Sequence, residues 1–513
     1  MDPVAAPIRR RAMASALLAV VIAVTACSVG TADDEGAAPS TTAAPPTTEA
    51  RTTSTTGTSP STTSSAPVGV GAVGVDDPYV DTFGNGGYDV EHYDVALDWE
   101  PEGATLEGSA TITASASEDL GRFHLDLVGL TVSSVQVDGA TADFEQIGTE
   151  LAVMPEQPLA SGDAFTVVVA YAGRPSDTSA AGIDVPIPSG WHTRDGYAYV
   201  AGEPVSASTF HPANDHPSDK ATFTYRITAP SELTVGASGT LVSSEEEAGS
   251  TTWVFEQPHP QATYLTTLLI GGFTVIDEGT TAGGVPLRNV IDDDLVDAAS
   301  PRFARQGEIL DFFESVFGPY PFDNYGAAVV EDGFGGALET QTLSIFGADV
   351  LGLGGFVELI VAHEAAHQWF GNHVTVREWG DIWLNEGFAT YSEALWRDHS
   401  DPRFDWAAWI AETASFGPGL QRRVQDPEGD LFDVQVYQRG ALTLHALRLE
   451  IGDEAFFELL RTWIERYGGG NATTEDFESL AEELSGRELR GLFDAWLRTD
   501  ELPAELDGVA LRP

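Results

Sequence analysis

Two hydrophobic rhythms divide the chain. From Tyr88 onward, apolar and polar residues alternate through "YDVALDW", "SATITAS", "FHLDLVGLTVSSVQVD" and "FTVVVAYAG", with Gly, Asp or Pro between the runs. A period of two sends successive side chains to opposite faces and predicts strands with one buried face. The same rhythm continues in "KATFTYRITAP", "GTLVSS", "TTWVFEQ" and "YLTTLLIGGFTVID". Residues 78–276 are therefore expected to form an all-β domain. The spacing then lengthens to that of helices. "FARQGEILDFFESVFG" carries an apolar stripe and is stopped by Gly318 and Pro319. "NYGAAVVED" reads as a strand. "FVELIVAHEAAHQWF" reads as a helix stopped by Gly371 and Asn372, and "NEGFATYSEALWRDH" as another. "YQRGALTLHALRLEIG", "EAFFELLRTWIERYG" and "TEDFESLAEELSG" follow as helices, with Thr473 and Asp476 placed for a capping box on the last. Residues 277–513 read as a mainly helical domain with a small sheet, which makes the whole chain α+β with two domains.

The first 77 residues follow neither rhythm. Arg9, Arg10 and Arg11 precede an apolar run from Ala12 to Ala26, and Cys27 follows. A basic region before a short apolar one is the layout of an export signal, here residues 1–27, and the run is too short for a comfortable transmembrane span. "VTAC" resembles the bacterial lipobox. That resemblance implies a lipid on Cys27, a membrane partner reached through that anchor, and an exported cell-envelope lipoprotein on the outer face of the cytoplasmic membrane. An ordinary signal peptide with an incidental cysteine is the alternative. Residues 28–77 are rich in Ser, Thr, Pro and Ala, a composition that buries too little apolar surface to offset chain entropy. A disordered stalk is expected, spanning roughly 40 Å as a flexible coil.

Charge narrows the partners. The 513 residues carry a formal net charge of −54, and Lys220 is the only lysine. Such a surface repels nucleic acid, which is excluded as a partner. With Cys27 the single cysteine, no disulfide forms within the chain.

"VAHEAAHQWFGNHV" brings in chemistry. On a helix, His363 and His367 differ by about 40° and lie one turn apart, so both imidazoles face one ion. Glu364 sits about 100° round, poorly placed as a ligand but well placed to reach a water on that ion, the logic of H-E-x-x-H. Catalytic zinc needs a third protein ligand and an open position, and Glu386 in "WLNEGFATY" is the candidate. Two neutral imidazoles and one carboxylate leave the site net positive, which lowers the pKa of bound water toward about 7. Thr390, one turn past Glu386, is expected to orient that carboxylate. The competing reading makes both histidines core or capping residues, and Glu386 at this spacing weighs against it.

"HEAAHQWFGN" followed by "WLNEGFATY" resembles the gluzincin zinc aminopeptidases, the family of aminopeptidase N and leukotriene hydrolase. Three further stretches match. "GGALET" resembles the family's Gly-Ala-Met-Glu-Asn signature through Gly336, Ala337 and Glu339, with Leu338 for Met and Thr340 for Asn. "YQRGA" resembles its Tyr-x-Lys-Gly-Ala stretch, placing Tyr437 and substituting Arg439 for Lys. "EPVSASTFHPANDHPSDKATF" resembles its Glu-Pro stretch in the β domain and aligns Glu203, with Ser208 for the usual Arg and Ala213 for the usual Cys.

The resemblance implies a saddle-like N-terminal β domain and a thermolysin-like catalytic domain, in a short form without the long helical C-terminal domain. It also implies one Zn2+ per chain, held by His363, His367 and Glu386. Glu364 and Tyr437 would be catalytic, as general base and oxyanion donor. Glu339, Glu203, Gly336 and Ala337 would bind substrate. A carboxylate at Glu339, seconded by Glu203, would recognise an α-ammonium group and fix the scissile bond one residue from the end of a peptide with a free N-terminus. The alternatives are a zinc metalloendopeptidase or epoxide-hydrolase activity on the same site, and a non-enzymatic surface lipoprotein that binds through the β domain.

Overall fold

The computed structural model describes residues 69–182, 189–194 and 196–512. The expected signal, Cys27 and the stalk up to residue 68 lie outside the described residues. The expected stalk reaches residue 77, but its end is folded. Gly69–Val70 pairs in parallel with the strand Leu120–Asp126. Asp77 is buried and accepts a hydrogen bond from the Trp379 backbone N–H at 2.8 Å. Backbone pairing and one buried carboxylate hold this segment, and neither leaves a hydrophobic period in the sequence.

An eight-stranded sheet forms the centre of the β-rich part. In spatial order its strands are Thr240–Glu247, Ser250–Ala262, Lys220–Pro230, Tyr88–Glu100, Thr105–Ala116, Ala164–Gly173, Thr131–Val137 and Ala140–Thr141. Tyr93, Val95, Leu97 and Trp99 alternate inward along the central strand. A register shift between Val90 and His92 lets Val90 face inward as well. Lys220–Pro230 joins that strand in parallel, a pairing between residues more than a hundred positions apart.

The expected domain boundary at 276/277 falls inside the strand Phe273–Thr280. That strand pairs with Pro286–Asp292 in a five-stranded sheet completed by Ala327–Val330, Ser344–Gly347 and Ala337–Leu338. The preceding strand, Leu268–Gly271, belongs to a different, four-stranded sheet. The change therefore occurs at Gly272. Apolar residues flank the break on both sides, so periodicity alone cannot see it.

The helices Val296–Phe303 and Gln306–Phe317 fall between strands of this sheet, and Val357–His367, Trp383–Ser400, Trp406–Ala414, Val434–Ile451, Asp453–Tyr467 and Thr474–Ser485 follow it. Thr473 and Asp476 form the expected capping box. Trp406–Ala414, capped by Asp405, is a helix the sequence reading missed. The helix expected over 303–318 is found as Gln306–Phe317, while the separate helix before it, Val296–Phe303, has no counterpart in the sequence reading. Lys220 ties the two halves together: its buried Nζ donates to the carbonyls of Asn372 at 2.8 Å and His373 at 3.0 Å, just past the helix that carries His363 and His367.

Candidate active site

Two helices converge on one point. His363 Nε2 lies 3.1 Å from Glu386 Oε2, and His367 Nε2 lies 3.5 Å from the same oxygen. The far ring nitrogens are engaged elsewhere. His363 Nδ1 is 2.8 Å from Glu393 Oε1, and His367 Nδ1 is 3.0 Å from the Phe370 carbonyl. With Nδ1 donating in each ring, both Nε2 lone pairs are left for the shared point, the tautomer a metal requires. The three ligand atoms lie within 4.8 Å of one another and all three residues are buried. Two imidazoles and a carboxylate fit a catalytic zinc ion. Burial works against the charge on Glu386, but His367 and His363 outweigh it and hold the carboxylate below its ordinary range.

Glu393 stands two turns after Glu386 on the same helix, so a seven-residue spacing from a ligand was the signal available in the sequence. Thr390 does not take the expected role. Its buried Oγ1 has no hydrogen-bond partner among the described residues, and the orienting carboxylate belongs instead to Glu393 on His363.

Carboxylates from both domains surround this triad. Ligand atoms of Glu339, Glu364 and His367 lie within 4.8 Å of one another, and so do those of Glu203, Glu339 and Glu386. Glu203 Oε1 and Glu339 Oε1 are buried without a hydrogen-bond partner among the described residues. Burial, then the charges of Glu339, Glu386 and Glu364, push Glu203 well above the usual carboxylate range. Glu364 is pushed up to about 8 by burial, with His363 and His367 opposing and Glu339 and Glu386 adding. Four carboxylates packed against two imidazoles form a site that bound cations would balance.

The supports of these carboxylates are local. The Glu339 carbonyl accepts from Gln368 Nε2 at 3.0 Å and Asn372 Nδ2 at 2.7 Å, two residues that sequence reasoning did not single out. Thr340, where the family signature has Asn, closes its own loop by donating to the Leu343 carbonyl at 2.5 Å. Gly347 N–H donates to the Gly336 carbonyl at 3.1 Å, beside the short strand Ala337–Leu338. The segment after Glu203 hangs on Asp215, whose Oδ2 accepts from the Ser206 and Ser208 N–H groups at 3.1 and 2.9 Å.

Tyr437 joins the site through a close helix crossing. A Cβ built on Gly440 would lie 3.0 Å from Gly387 Cα. Two glycines at that contact let the helices Val434–Ile451 and Trp383–Ser400 approach closely. The Tyr437 ring then stacks against His363, with centroids 6.1 Å apart and planes at 22°. Burial and the Glu386 and Glu203 charges push its phenol well above the ordinary value, so it stays a donor. Arg439 points elsewhere: fully buried, it donates to the carbonyls of Trp496, Arg422 and Thr499 at 2.7–2.8 Å and pins the end of the chain.

Comparison with known proteins agrees with this geometry. Residues 302–496 match the Peptidase family M1 domain and residues 89–265 the Peptidase M1 N-terminal domain. A crystal structure of an M1 zinc metallopeptidase from Deinococcus radiodurans is 34% identical, with a TM-score of 0.77, and covers 85% of this chain and 100% of that one. The chain belongs to the peptidase M1 family. A mutant of the Deinococcus metallopeptidase bound to a Tyr-Ser-Ala substrate is equally similar, at 34% identity and a TM-score of 0.77, over 84% of this chain and 99% of that one. Aminopeptidase N of Streptomyces lividans is 27% identical over 82% of this chain and 52% of its own length. Aminopeptidase M1-A of rice is 28% identical over 80% and 50%. The chain thus spans about half the length of the curated relatives it matches.

Like its family, this member pairs a β-rich N-terminal part with a helical peptidase part. Beside His363 and Glu364 it opens a cleft of about 640 Å3 that Gly336, Ala337 and Tyr437 also line. Glu203 and Glu339 do not line it; both are buried.

Proposed function

We propose that this peptidase M1 protein is a zinc-dependent aminopeptidase acting on peptides with a free N-terminus, with one zinc ion per chain on His363, His367 and Glu386. The observation that carries this reading is the meeting of Glu203 and Glu339 beside Glu386, the first two each with a buried oxygen that has no hydrogen-bond partner among the described residues. A substrate α-ammonium is the cation that fits there, and binding it fixes the scissile bond one residue from the chain end. When bound, zinc polarises the scissile carbonyl and acidifies water toward a pKa of about 7. Glu364 accepts the proton of the attacking water on its carboxylate and passes it to the leaving amine. The Tyr437 hydroxyl donates to the oxygen that gains charge as the carbonyl carbon becomes tetrahedral.

The test compares one peptide set in free and N-acetylated forms. The free forms should be cleaved at the first bond and the acetylated forms ignored. Glu339→Ala should lower kcat/KM on free peptides by about 10²-fold or more, since leaving a buried charge unpaired costs about 2–5 kcal/mol. Zinc content should stay unchanged. Internal cleavage of acetylated peptides at comparable rates would replace this reading with the endopeptidase one.

The acylated Cys27 anchor is likewise our reading, supported by the basic region, the short apolar run and "VTAC". Cys27→Ser should release the protein from the membrane fraction or leave its signal uncut. Unchanged fractionation of that variant would refute the anchor.

A further inference from the structure

The turn that carries Tyr437 is gripped from behind. Tyr437 is the fourth residue of the helix Val434–Ile451, and Val434, Tyr437 and Gln438 all line the 640 Å3 cleft. On that side open volume meets the turn, so the cleft itself does little to fix it. Two residues further on, and about 200° round the helix, Arg439 points the opposite way.

Arg439 holds two stretches of backbone at once. Its Nη1 donates to the carbonyls of Leu420 at 3.0 Å and Arg422 at 2.8 Å, in the chain that leads into the helix. Its Nε donates to the Trp496 carbonyl at 2.8 Å, and Nη2 to those of Ala495 at 3.1 Å and Thr499 at 2.7 Å. The two stretches also bind each other, the Val424 N–H donating to the Leu497 carbonyl at 2.8 Å. The last carbonyls of a helical segment lack partners within it and favour a cation, which is what Arg439 supplies to Asp494–Arg498. Burial lowers the guanidinium only to about 10, so it stays charged near neutral pH. Five donors in one rigid plane suit such an array, whereas a lysine offers three on a single nitrogen. The next residue, Gly440, makes the close crossing with Gly387, so the grip and the crossing act on adjacent positions of the helix.

We propose that Arg439 is a positioning residue for Tyr437. By tying the first turns of the helix to residues 420–422 and 495–499, it sets where the phenol ring lies over His363, and so where its hydroxyl meets the oxygen that gains charge. A donor of this kind acts only at hydrogen-bond length, and a displacement of about 1 Å can cost about 10²-fold in rate. The proposal rests on the reading of Tyr437 as the oxyanion donor.

The test is a double-mutant cycle of Arg439→Lys and Tyr437→Phe in the zinc-loaded full chain, assayed on trialanine with a free N-terminus. Arg439→Lys keeps the charge and gives up part of the array. It should lower kcat about tenfold and leave KM within about twofold, with zinc content and circular dichroism unchanged. Tyr437→Phe should lose about 10²-fold by itself. In the Tyr437→Phe background Arg439→Lys should then change kcat by less than about twofold, because the group it positions is gone. Affinity gives a readout apart from turnover. Arg439→Lys should weaken a phosphinic tripeptide analogue, whose tetrahedral oxygens mimic the charged intermediate, about tenfold, and free L-alanine by less than about twofold. A tenfold loss that recurs in the Tyr437→Phe background, or equal weakening of both ligands, would overturn the proposal. So would native kcat in Arg439→Lys. Loss of zinc or of native ellipticity in that variant would overturn it too, since Arg439 would then support the domain and not Tyr437 in particular. Near-native kcat in Tyr437→Phe would overturn the oxyanion reading and the positioning role with it.

Discussion

Replacing Glu393 tests whether the metal site is held from behind. Its Oε1 sits 2.8 Å from His363 Nδ1, and its side chain is 28% exposed. The contact turns the ring so that Nε2 faces Glu386 and makes the imidazole a better donor. Glu393→Gln keeps an acceptor at that place but loses the charge. A hydrogen bond to a charged group contributes about 1.5–3 kcal/mol and a neutral one about 0.5–1.5, so the swap should cost about 1 kcal/mol, somewhat under tenfold in zinc affinity. Glu393→Leu removes the bond and should cost about 10–100-fold. Zinc affinity is measured by competition with a chromophoric chelator, and circular dichroism checks that both variants fold. The ordering native, Gln, Leu is the signature of an orienting carboxylate. If Glu393→Leu binds zinc within twofold of the native protein, the orienting role is refuted.

Glu364→Gln should keep its zinc, by elemental analysis, and lose about 10²-fold or more in turnover, since only the proton transfer is removed; near-native turnover would sink the assignment. Gly440→Ala places a methyl group 3.0 Å from Gly387 Cα, and overpacking of this kind costs about 1–3 kcal/mol, so the melting temperature should fall and kcat with it as Tyr437 is displaced; an unchanged melting temperature would show that the helices part freely. Asp126 and Glu150 are pushed up by burial, and Asp126 also by the charge of Glu150. Carboxyls raised in this way contribute stability that is complete below the unfolded value of about 4 and is lost as pH rises through the higher native value. Glu150→Gln should therefore flatten the fall in melting temperature from pH 5 to pH 8, and a variant that keeps the native slope would count against the pair.

What was readable in the sequence follows the reach of each interaction. His363 and His367 lie one helical turn apart and Glu386 falls in the first turn of the next helix, so spacing alone pointed to the proposed ligand set. Glu393 is visible in the sequence, but a glutamate seven residues along a helix is common, and only the fold shows it meeting an imidazole. Asn372 and Gln368 support Glu339 through its backbone carbonyl, and backbone contacts leave no residue pattern to read. The ordered residues 69–77 and the sheet change at Gly272 were hidden for the same reason: each depends on which strand lies alongside. Thr390 was assigned by helical spacing and failed, because being one turn from a ligand puts a side chain near it without turning its hydroxyl toward it.

The metal site and the recognition site differ in how much of the fold they need. Every proposed zinc ligand lies between His363 and Glu386, on two packed helices of one domain. The proposed amine recognition needs Glu203 from the β-rich part beside Glu339 from the helical part, and their carboxylates do lie close together. Their meeting depends on contacts that cross between the halves. Lys220 clasps the carbonyls of Asn372 and His373, and the Asn372 side chain in turn holds the Glu339 carbonyl. Asp77 binds the Trp379 N–H near the start of the helix that carries Glu386, and His216 at 3.3 Å ties Asp77 back to the β-rich part. A shift at that interface would leave the triad intact and pull the two glutamates apart. Hydrolysis would then persist while the preference for a free N-terminus faded. On the proposed function, exopeptidase character would be a property of the domain interface, whereas the capacity to hold metal would be a property of two helices.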